Sequence, residues 1–181
     1  MEFLNKLRLH KKIYEVMYCS SNDFEKSVQK FLLGKALTVT FEEIRDDNYL
    51  SYETNDFVSI RKYFRPKTFS IGATINGSPA AFGSFIIRGG MTRYQMRVIK
   101  SDICFVGLYT YPQFRNQNIM KLLMNELYKK ACEMNEIRIM SLYVEENNCR
   151  AKKLYGDLGF KKERVIKLIH KWIFNFPYYS I

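Results

Sequence analysis

The sequence predicts a domain of the α+β or α/β class built on a central mixed β-sheet, and three observations carry that expectation. Apolar runs of strand composition lie on either side of Asn76-Gly77, which reads as an antiparallel hairpin. Between Ile103 and Val144 an apolar run, a helix-period segment and a second apolar run follow in turn. That order makes a parallel pair joined by a right-handed crossover. The chain has 181 residues, 47% of them hydrophobic, enough for one core, and no linker-like stretch divides it, so residues 1–181 are read as a single domain.

Taken in order, Lys11 to Tyr18 has the β-branched and aromatic content of a first strand. Ser21 or Asn22 then offers an N-cap for a helix through Phe24, Val28, Phe31 and Leu32, closed by Gly34. Residues 37–63 hold the acidic part of the chain, with Glu42, Glu43, Asp46, Asp47, Glu53 and Asp56, and are expected to form short helices. Thr68–Ile75 and Ala80–Ile87 are the hairpin strands. Gly89-Gly90 turns into an extension of the meander over Met91 to Val98, and Ile103–Tyr109 is a buried strand. After Arg115, Ile119, Leu123, Leu127 and Ala131 recur every four residues while Asn125, Lys129, Lys130 and Glu133 fall elsewhere, so residues 115–133 are expected to be a helix packing one face on the sheet. Ile137–Val144 is a strand, Asn148–Leu158 a short helix ended by Gly159, and Val165–Ile169 with Lys171–Phe176 a closing pair.

Composition excludes several classes. The N-terminal ten residues alternate charge with apolar side chains and build no signal-peptide core, and no run is apolar enough to span a bilayer, so a cytoplasmic protein is expected. Cys19, Cys104, Cys132 and Cys149 show no paired short spacing, and His10 and His170 lie near opposite ends, so the cysteines are read as free, mostly buried thiols and no metal is called for. The net charge of +11 favours anionic partners without choosing among nucleic acid, lipid headgroups and a phosphorylated cofactor. Basic residues are spread along the chain, and no RNP-like motif, helix-turn-helix signal or zinc spacing supports a nucleic-acid face.

The chemistry lies in two motifs. Tyr111-Pro112-Gln113-Phe114-Arg115-Asn116-Gln117-Asn118-Ile119-Met120 joins the strand ending at Tyr109 to the following helix, which leaves the free N–H groups of a helix start beside Arg115. Such a junction suits a pyrophosphate. Asn148-Cys149-Arg150-Ala151-Lys152-Lys153-Leu154-Tyr155, then Gly159-Phe160, puts Asn148 and Tyr155 two helical turns apart on nearly one face, with Ala151 leaving room between them. The pair resembles the GCN5-related N-acetyltransferase (GNAT) superfamily. Its pyrophosphate loop, Arg/Gln-x-x-Gly-x-Gly/Ala, aligns with Arg115 to Met120, and its signature Asn-x-x-Ala-x-x-Leu-Tyr-x-x-x-Gly-Phe aligns with Asn148, Ala151, Leu154, Tyr155, Gly159 and Phe160. Asn118 and Met120 stand where the family has glycine or alanine. Asn reaches left-handed backbone readily, whereas Met120 crowds a pyrophosphate unless it points into the core.

The resemblance implies a three-layer α-β-α domain whose central mixed sheet splays between strands 103–110 and 137–144. It places an acceptor-side part at about 1–100 and an acyl-CoA-binding part at about 101–181. Acetyl-CoA is implied as acyl donor, its pantetheine arm meeting the backbone of Leu108, Tyr109 and Thr110 and its pyrophosphate meeting Arg115, Asn116, Gln117, Asn118, Ile119, Met120 and Lys121, with Asn148 and Ala151 alongside. A bulge in the first strand would aim an N–H at the thioester carbonyl. Tyr155 is the implied general acid for the departing thiolate. No base stands out: Cys104 occupies a position where some members carry glutamate and is read as core, which leaves ordered water or a carboxylate such as Glu53 or Asp56.

The implied reaction is acetyl transfer to a primary amine. Arg93, Tyr94 and Arg97, with residues 49–61, border the acceptor side. Their aromatic and basic mix suits a phosphorylated sugar, and the N-terminal segment resembles those of transferases in surface-polysaccharide pathways, which leans toward an amino-sugar nucleotide. The alternative is a catalytically degenerate module of the same fold that binds CoA, RNA or another anionic partner. Oligomeric state is left open, a homodimer included.

Overall fold

The computed structural model describes residues 10–32, 38–45, 48–52, 67–92, 98–173 and 176–180. Along the chain come β1 (His10–Ser20), α1 (Ser21–Leu32), β2 (Thr40–Glu43), β3 (Thr68–Ile75), β4 (Ser78–Ile87), β5 (Ile103–Thr110), α2 (Ile119–Met134), β6 (Ile139–Glu145), α3 (Cys149–Asp157), β7 (Lys161–Ile173) and β8 (Phe176–Ser180). The strands form one eight-stranded sheet in the order β2-β3-β4-β5-β6-β1-β7-β8. The sheet is mixed: β5 and β6 run parallel, and the other neighbours are antiparallel. The β3–β4 hairpin turns where Asn76-Gly77 requires it, both residues having positive φ (50° and 76°), the conformation whose twist matches the flanking strands.

The expected splay is present and has a local cause. β5 and β6 pair only through Ile103 with Met140, Cys104 with Ser141 and Phe105 with Leu142, although both strands continue. On its other side β5 faces β4 with Phe82 opposite Tyr109 and Ser84 opposite Val106, so β5 carries one residue more than its partner there. Gly107 takes up that residue at φ 62°, a β-bulge that bends the strand. The strand therefore leaves β6 where the bulge begins.

The core follows the helical period. Ile119, Leu123, Leu127 and Ala131 are all buried and meet Phe24 and Val28 of α1, Phe105 of β5, Leu142 and Val144 of β6 and Phe160. Phe24 sits centrally, with ring centroids 5.1 Å from Tyr128 and 6.2 Å from Phe160. Each such side chain contributes about 1.5–3 kcal/mol. Phe82 and Phe85 lie three residues apart on β4 and so point to opposite faces. Phe85 joins the helical core, and Phe82 packs with Ile44, Tyr49, Tyr52, Tyr109 and Tyr111. Tyr111 donates its hydroxyl hydrogen to the Tyr52 carbonyl at 2.7 Å, fastening the acidic segment to the sheet.

Several element boundaries differ from the expectation. The helix expected over 115–133 is α2, which begins at Ile119. Pro112–Phe114 form a 3-10 turn before it, and Asn116 and Asn118 at φ 65° and 62° cannot continue a right-handed helix. Ser20, one residue before the expected cap, accepts from the Asp23 N–H at 3.1 Å. In the acidic segment the described residues form strand β2 and a 3-10 turn at Tyr49–Tyr52, with Phe41 and Ile44, on either side of Glu42 and Glu43, packed into two different apolar clusters. Met91 makes an isolated bridge, and Gly89 and Gly90 close the loop through backbone hydrogen bonds with Val98. The closing pair is longer than expected, one strand from Lys161 to Ile173 against Phe176–Ser180. Cys19 and Cys104 are buried as expected, whereas Cys132 and Cys149 are exposed on helix faces turned to solvent. Gly34, Glu53, Asp56, Arg93, Tyr94 and Arg97 lie outside the described residues.

Candidate functional site

The junction of β5 with α2 is built to leave backbone donors unused. Asn118 is the N-cap residue of α2, and its side chain makes no capping hydrogen bond. The first intrahelical bonds are those of the Lys121 and Leu122 N–H groups to the Asn118 carbonyl, at 3.0 and 3.3 Å. The N–H groups at the very start of α2 thus have no place in the helix's own pattern. With left-handed residues at 116 and 118, this backbone forms the concave, N–H-lined shape that binds anions, and the positive end of the α2 dipole lies beneath it.

That loop forms one wall of a cavity of about 620 Å³, whose opposite wall is α3. Four cations line it, Arg115, Lys121, Arg150 and Lys153, against one carboxylate, Asp157. Lys121 is bound to Asp157 at 2.9 Å. Arg115 donates through Nε to the Thr110 carbonyl at 3.1 Å and lies 5.9 Å from the Tyr109 ring centroid. Arg150 donates to Asn116 Oδ1 at 2.6 Å, which ties α3 to the loop. The cavity is cationic, partly apolar in its lining and open to solvent.

The splay of β5 from β6 forms a second cavity of about 240 Å³, lined by Phe105 to Leu108, Leu142 to Glu145, Tyr14, Thr92, Asn148 and Tyr155. The two cavities share Leu108, Asn148 and Tyr155. Asn148 caps α3, its Oδ1 accepting from the Ala151 N–H at 3.1 Å, so its side chain is committed to the helix start. Half-buried Tyr155 packs its ring on Phe160 at 6.3 Å, and burial pushes its hydroxyl above the usual tyrosine value. No described side chain or backbone group hydrogen-bonds that hydroxyl, so it stays protonated at neutral pH and available to a ligand. Glu145 accepts from Lys12 at 2.6 Å and from the Tyr14 hydroxyl at 3.3 Å. Cys104 is fully buried and its thiol is pushed up to about 12 by burial, which fits its reading as core.

Of the sequence-derived site residues, Leu108, Tyr109, Thr110, Arg115, Asn116, Asn118, Ile119, Met120, Lys121, Asn148, Ala151 and Tyr155 line the larger cavity together. Gln117 does not line it, and its side chain turns back to the Gln113 carbonyl at 3.3 Å. Ile119 and Met120 are core residues at the cavity edge, so any contact they make there is chiefly through backbone. Glu145, Arg150, Lys153 and Gly107 were not singled out by sequence. For Arg150 and Lys153 the signal was the position on either side of Ala151, the small residue that opens the cavity. Among the described residues no cluster of histidine, cysteine and carboxylate could hold a metal, and no helix is long and apolar enough to cross a membrane.

Residues 37–160 match the family model described as "Acetyltransferase (GNAT) family". Among solved structures, a putative acetyltransferase of that family from Novosphingobium aromaticivorans superposes with a TM-score of 0.60 at 14% identity, covering 90% of this chain and 65% of that one. A GCN5-related N-acetyltransferase from Kribbella flavida gives 0.55 at 14%, covering 90% and 59%. The chain thus spans less than two thirds of the length of these two. An aminoglycoside N-acetyltransferase, AAC(6')-Iy, in complex with CoA gives 0.55 at 19%, covering 70% of this chain and 96% of that one. No curated protein matches the sequence significantly.

Proposed function

The chain belongs to the acetyltransferase (GNAT) family, and from that membership we propose that it transfers an acetyl group from acetyl-CoA to a primary amine. The observation that carries this reading is the meeting of the two cavities at Leu108, Asn148 and Tyr155. An extended thioester can lie with its pyrophosphate on the start of α2 and its acyl end in the splay. The residues fit such a donor. The loop offers N–H groups and positive charge to the pyrophosphate, and the unpaired edges of β5 and β6 offer main-chain hydrogen bonds to a pantetheine arm. Residues 1–181 act as a single unit in this reading, with the acceptor-side part at about 1–100 and the acyl-CoA-binding part at about 101–181.

In the reaction the neutral amine attacks the thioester carbonyl, the C–N bond forms and the C–S bond breaks. Charge developing on the carbonyl oxygen meets backbone N–H at the Gly107–Leu108 bulge, a fixed donor that needs no reorganisation. Tyr155 meets the departing sulfur. Glu145 is the carboxylate lining the splay cavity among the described residues, and it takes the proton that the amine nitrogen loses as the C–N bond forms. The acceptor panel begins with amino sugars and amino-sugar nucleotides, whose phosphates would face the basic surface outside the cavity, and extends to simple primary amines.

Mass spectrometry of the purified protein for retained CoA, followed by thiol release from acetyl-CoA across that panel, tests the reading. Binding of acetyl-CoA with acceptor-dependent release supports it. A protein that neither retains CoA nor binds it in calorimetry refutes it.

A further inference from the structure

Glu145 ends β6 with its backbone fixed and its side chain long. It pairs with Tyr14 across the β1–β6 ladder, and the following N–H, of Glu146, donates to the Ile13 carbonyl at 3.0 Å. Neither contact sets the carboxylate, which sits at the end of a flexible chain with much rotamer freedom to lose. Two donors among the described residues hold it, and both reach Oε1: Lys12 Nζ at 2.6 Å and the Tyr14 hydroxyl at 3.3 Å. They differ in stiffness. The Lys12 side chain is 57% exposed on a flexible stem, and a surface ion pair of that kind fixes little. Tyr14 is 4% exposed and lines the splay cavity. Its strand is paired on both sides, with Tyr14 opposite Glu145 of β6 and Ile166 of β7, so the rigid ring carries its hydroxyl to a place the sheet determines.

We propose that Tyr14 is a positioning residue for acetyl transfer, its hydroxyl holding the Glu145 carboxylate in the splay cavity where the attacking nitrogen gives up its proton. The inference rests on the reading above in which Glu145 accepts that proton. As the C–N bond forms, the proton passes from nitrogen to the Glu145 carboxylate, and Tyr14 keeps its own hydrogen throughout. Its contribution is orientation. A misplacement of about 1 Å can cost a reaction on the order of 10²-fold, and with Lys12 still in place the loss of the stiffer tether should cost about tenfold.

Thiol release from acetyl-CoA, with the acceptor of the panel that reacts fastest, tests the assignment on Tyr14→Phe, Glu145→Asp, their double variant and Glu145→Gln. Tyr14→Phe keeps the ring, so the thermal midpoint should hold, and the acetyl-CoA dissociation constant and the acceptor KM should stay within about twofold while kcat falls about tenfold. Glu145→Asp draws the carboxylate back from the Tyr14 hydroxyl, so in that background Tyr14→Phe should change kcat by less than about twofold. Equal falls in the two backgrounds, or full kcat in Tyr14→Phe, overturn the positioning role and leave Glu145 as the base. A fall in kcat that comes with a lower thermal midpoint and weaker acetyl-CoA binding overturns it too, since Tyr14 would then serve only the fold. Undiminished kcat in Glu145→Gln removes the base and its positioning residue together, while the acceptor-dependent release by that variant would still uphold acetyl transfer.

Discussion

Tyr155→Phe removes one oxygen from the point where the two cavities meet and leaves the ring on Phe160, so fold and CoA affinity should be nearly kept. The size of the kinetic effect follows from the hydroxyl's surroundings. Burial holds its pKa above the usual 10.0. An ordinary thiol titrates at about 8.5, so complete proton transfer from Tyr155 to a free thiolate is uphill by at least about 2 kcal/mol. In the proposed reaction Tyr155 would therefore act by donating a strong hydrogen bond to sulfur as the C–S bond breaks, with the proton following as solvent re-enters. A hydrogen bond to a developing charge contributes about 1.5–3 kcal/mol, or roughly 10- to 150-fold in rate. The expected result is a fall in kcat of about 10²-fold with the acetyl-CoA dissociation constant within about twofold, measured by thiol release and calorimetry. Full activity in the Phe variant would refute the role. A fall nearer 10⁴-fold would show that complete proton transfer limits the rate, against the direction in which burial shifts this tyrosine.

Three further outcomes follow from the same geometry. Asn118→Pro should weaken acetyl-CoA binding at least about tenfold in calorimetry, because φ 62° is closed to proline, while Arg115→Ala should cost only a few-fold since Arg115 is exposed and shares its charge with the loop; unchanged affinity in both variants would dismiss the loop as the pyrophosphate site. Met120→Gly should lower stability by about 3 kcal/mol or more in denaturant titration without tightening acetyl-CoA binding, because Met120 is 8% exposed within the helical core; tighter binding would show that the side chain crowds the ligand. Burial alone would raise the Glu15 pKa, but hydrogen bonds from Lys162 and Lys152 at 3.0 and 3.3 Å outweigh it and hold the carboxyl below its ordinary 4.5. Its stabilisation is therefore complete above pH 4.5 and lost as pH falls through the depressed value, so Glu15→Gln should cost about 1–3 kcal/mol at pH 7 and progressively less as pH falls below 4.5; a loss independent of pH would contradict the ion-pair account.

The sequence was most legible where one residue type has one physical use. Asn76-Gly77 marked a turn because few other residues take its backbone angles, and the four-residue recurrence from Ile119 to Ala131 marked a buried stripe because only helical spacing aligns those positions. Boundaries were less legible. Periodicity located the body of α2 but not its start, since Arg115 to Asn118 carry helix-compatible residues and are excluded by the extended backbone of Arg115 and the left-handed angles of Asn116 and Asn118. The place of β1 between β6 and β7 had no local signal, because pairing partners distant in sequence are chosen by the assembled sheet. In the site, the proposed backbone roles at Leu108, Thr110 and Asn118 came from the family resemblance. The places of Glu145, Arg150 and Lys153 on the cavity walls had no such signal, since a charged residue at a strand end or on a helix surface looks the same in sequence whether it faces solvent or a cavity.

The two departures from the family's loop pattern become intelligible once the roles of the small residues are separated. Glycine in such a loop supplies left-handed backbone and empty space. At 118 only the first is needed, and Asn takes φ 62° at a cost of about 1 kcal/mol relative to glycine. At 120 only the second is needed, and α2 supplies it by rotation: Met120 belongs to the same buried cluster as Leu123, Met124 and Leu127. The helix that opens with Asn118 thus presents its first N–H groups to the cavity while its first side chains, Ile119 and Met120, anchor it to the sheet. A glycine at 120 would open the cavity edge only by loosening the helix start that positions those N–H groups, so on the proposed reading the large residue there would serve the pyrophosphate site through the rigidity of its support.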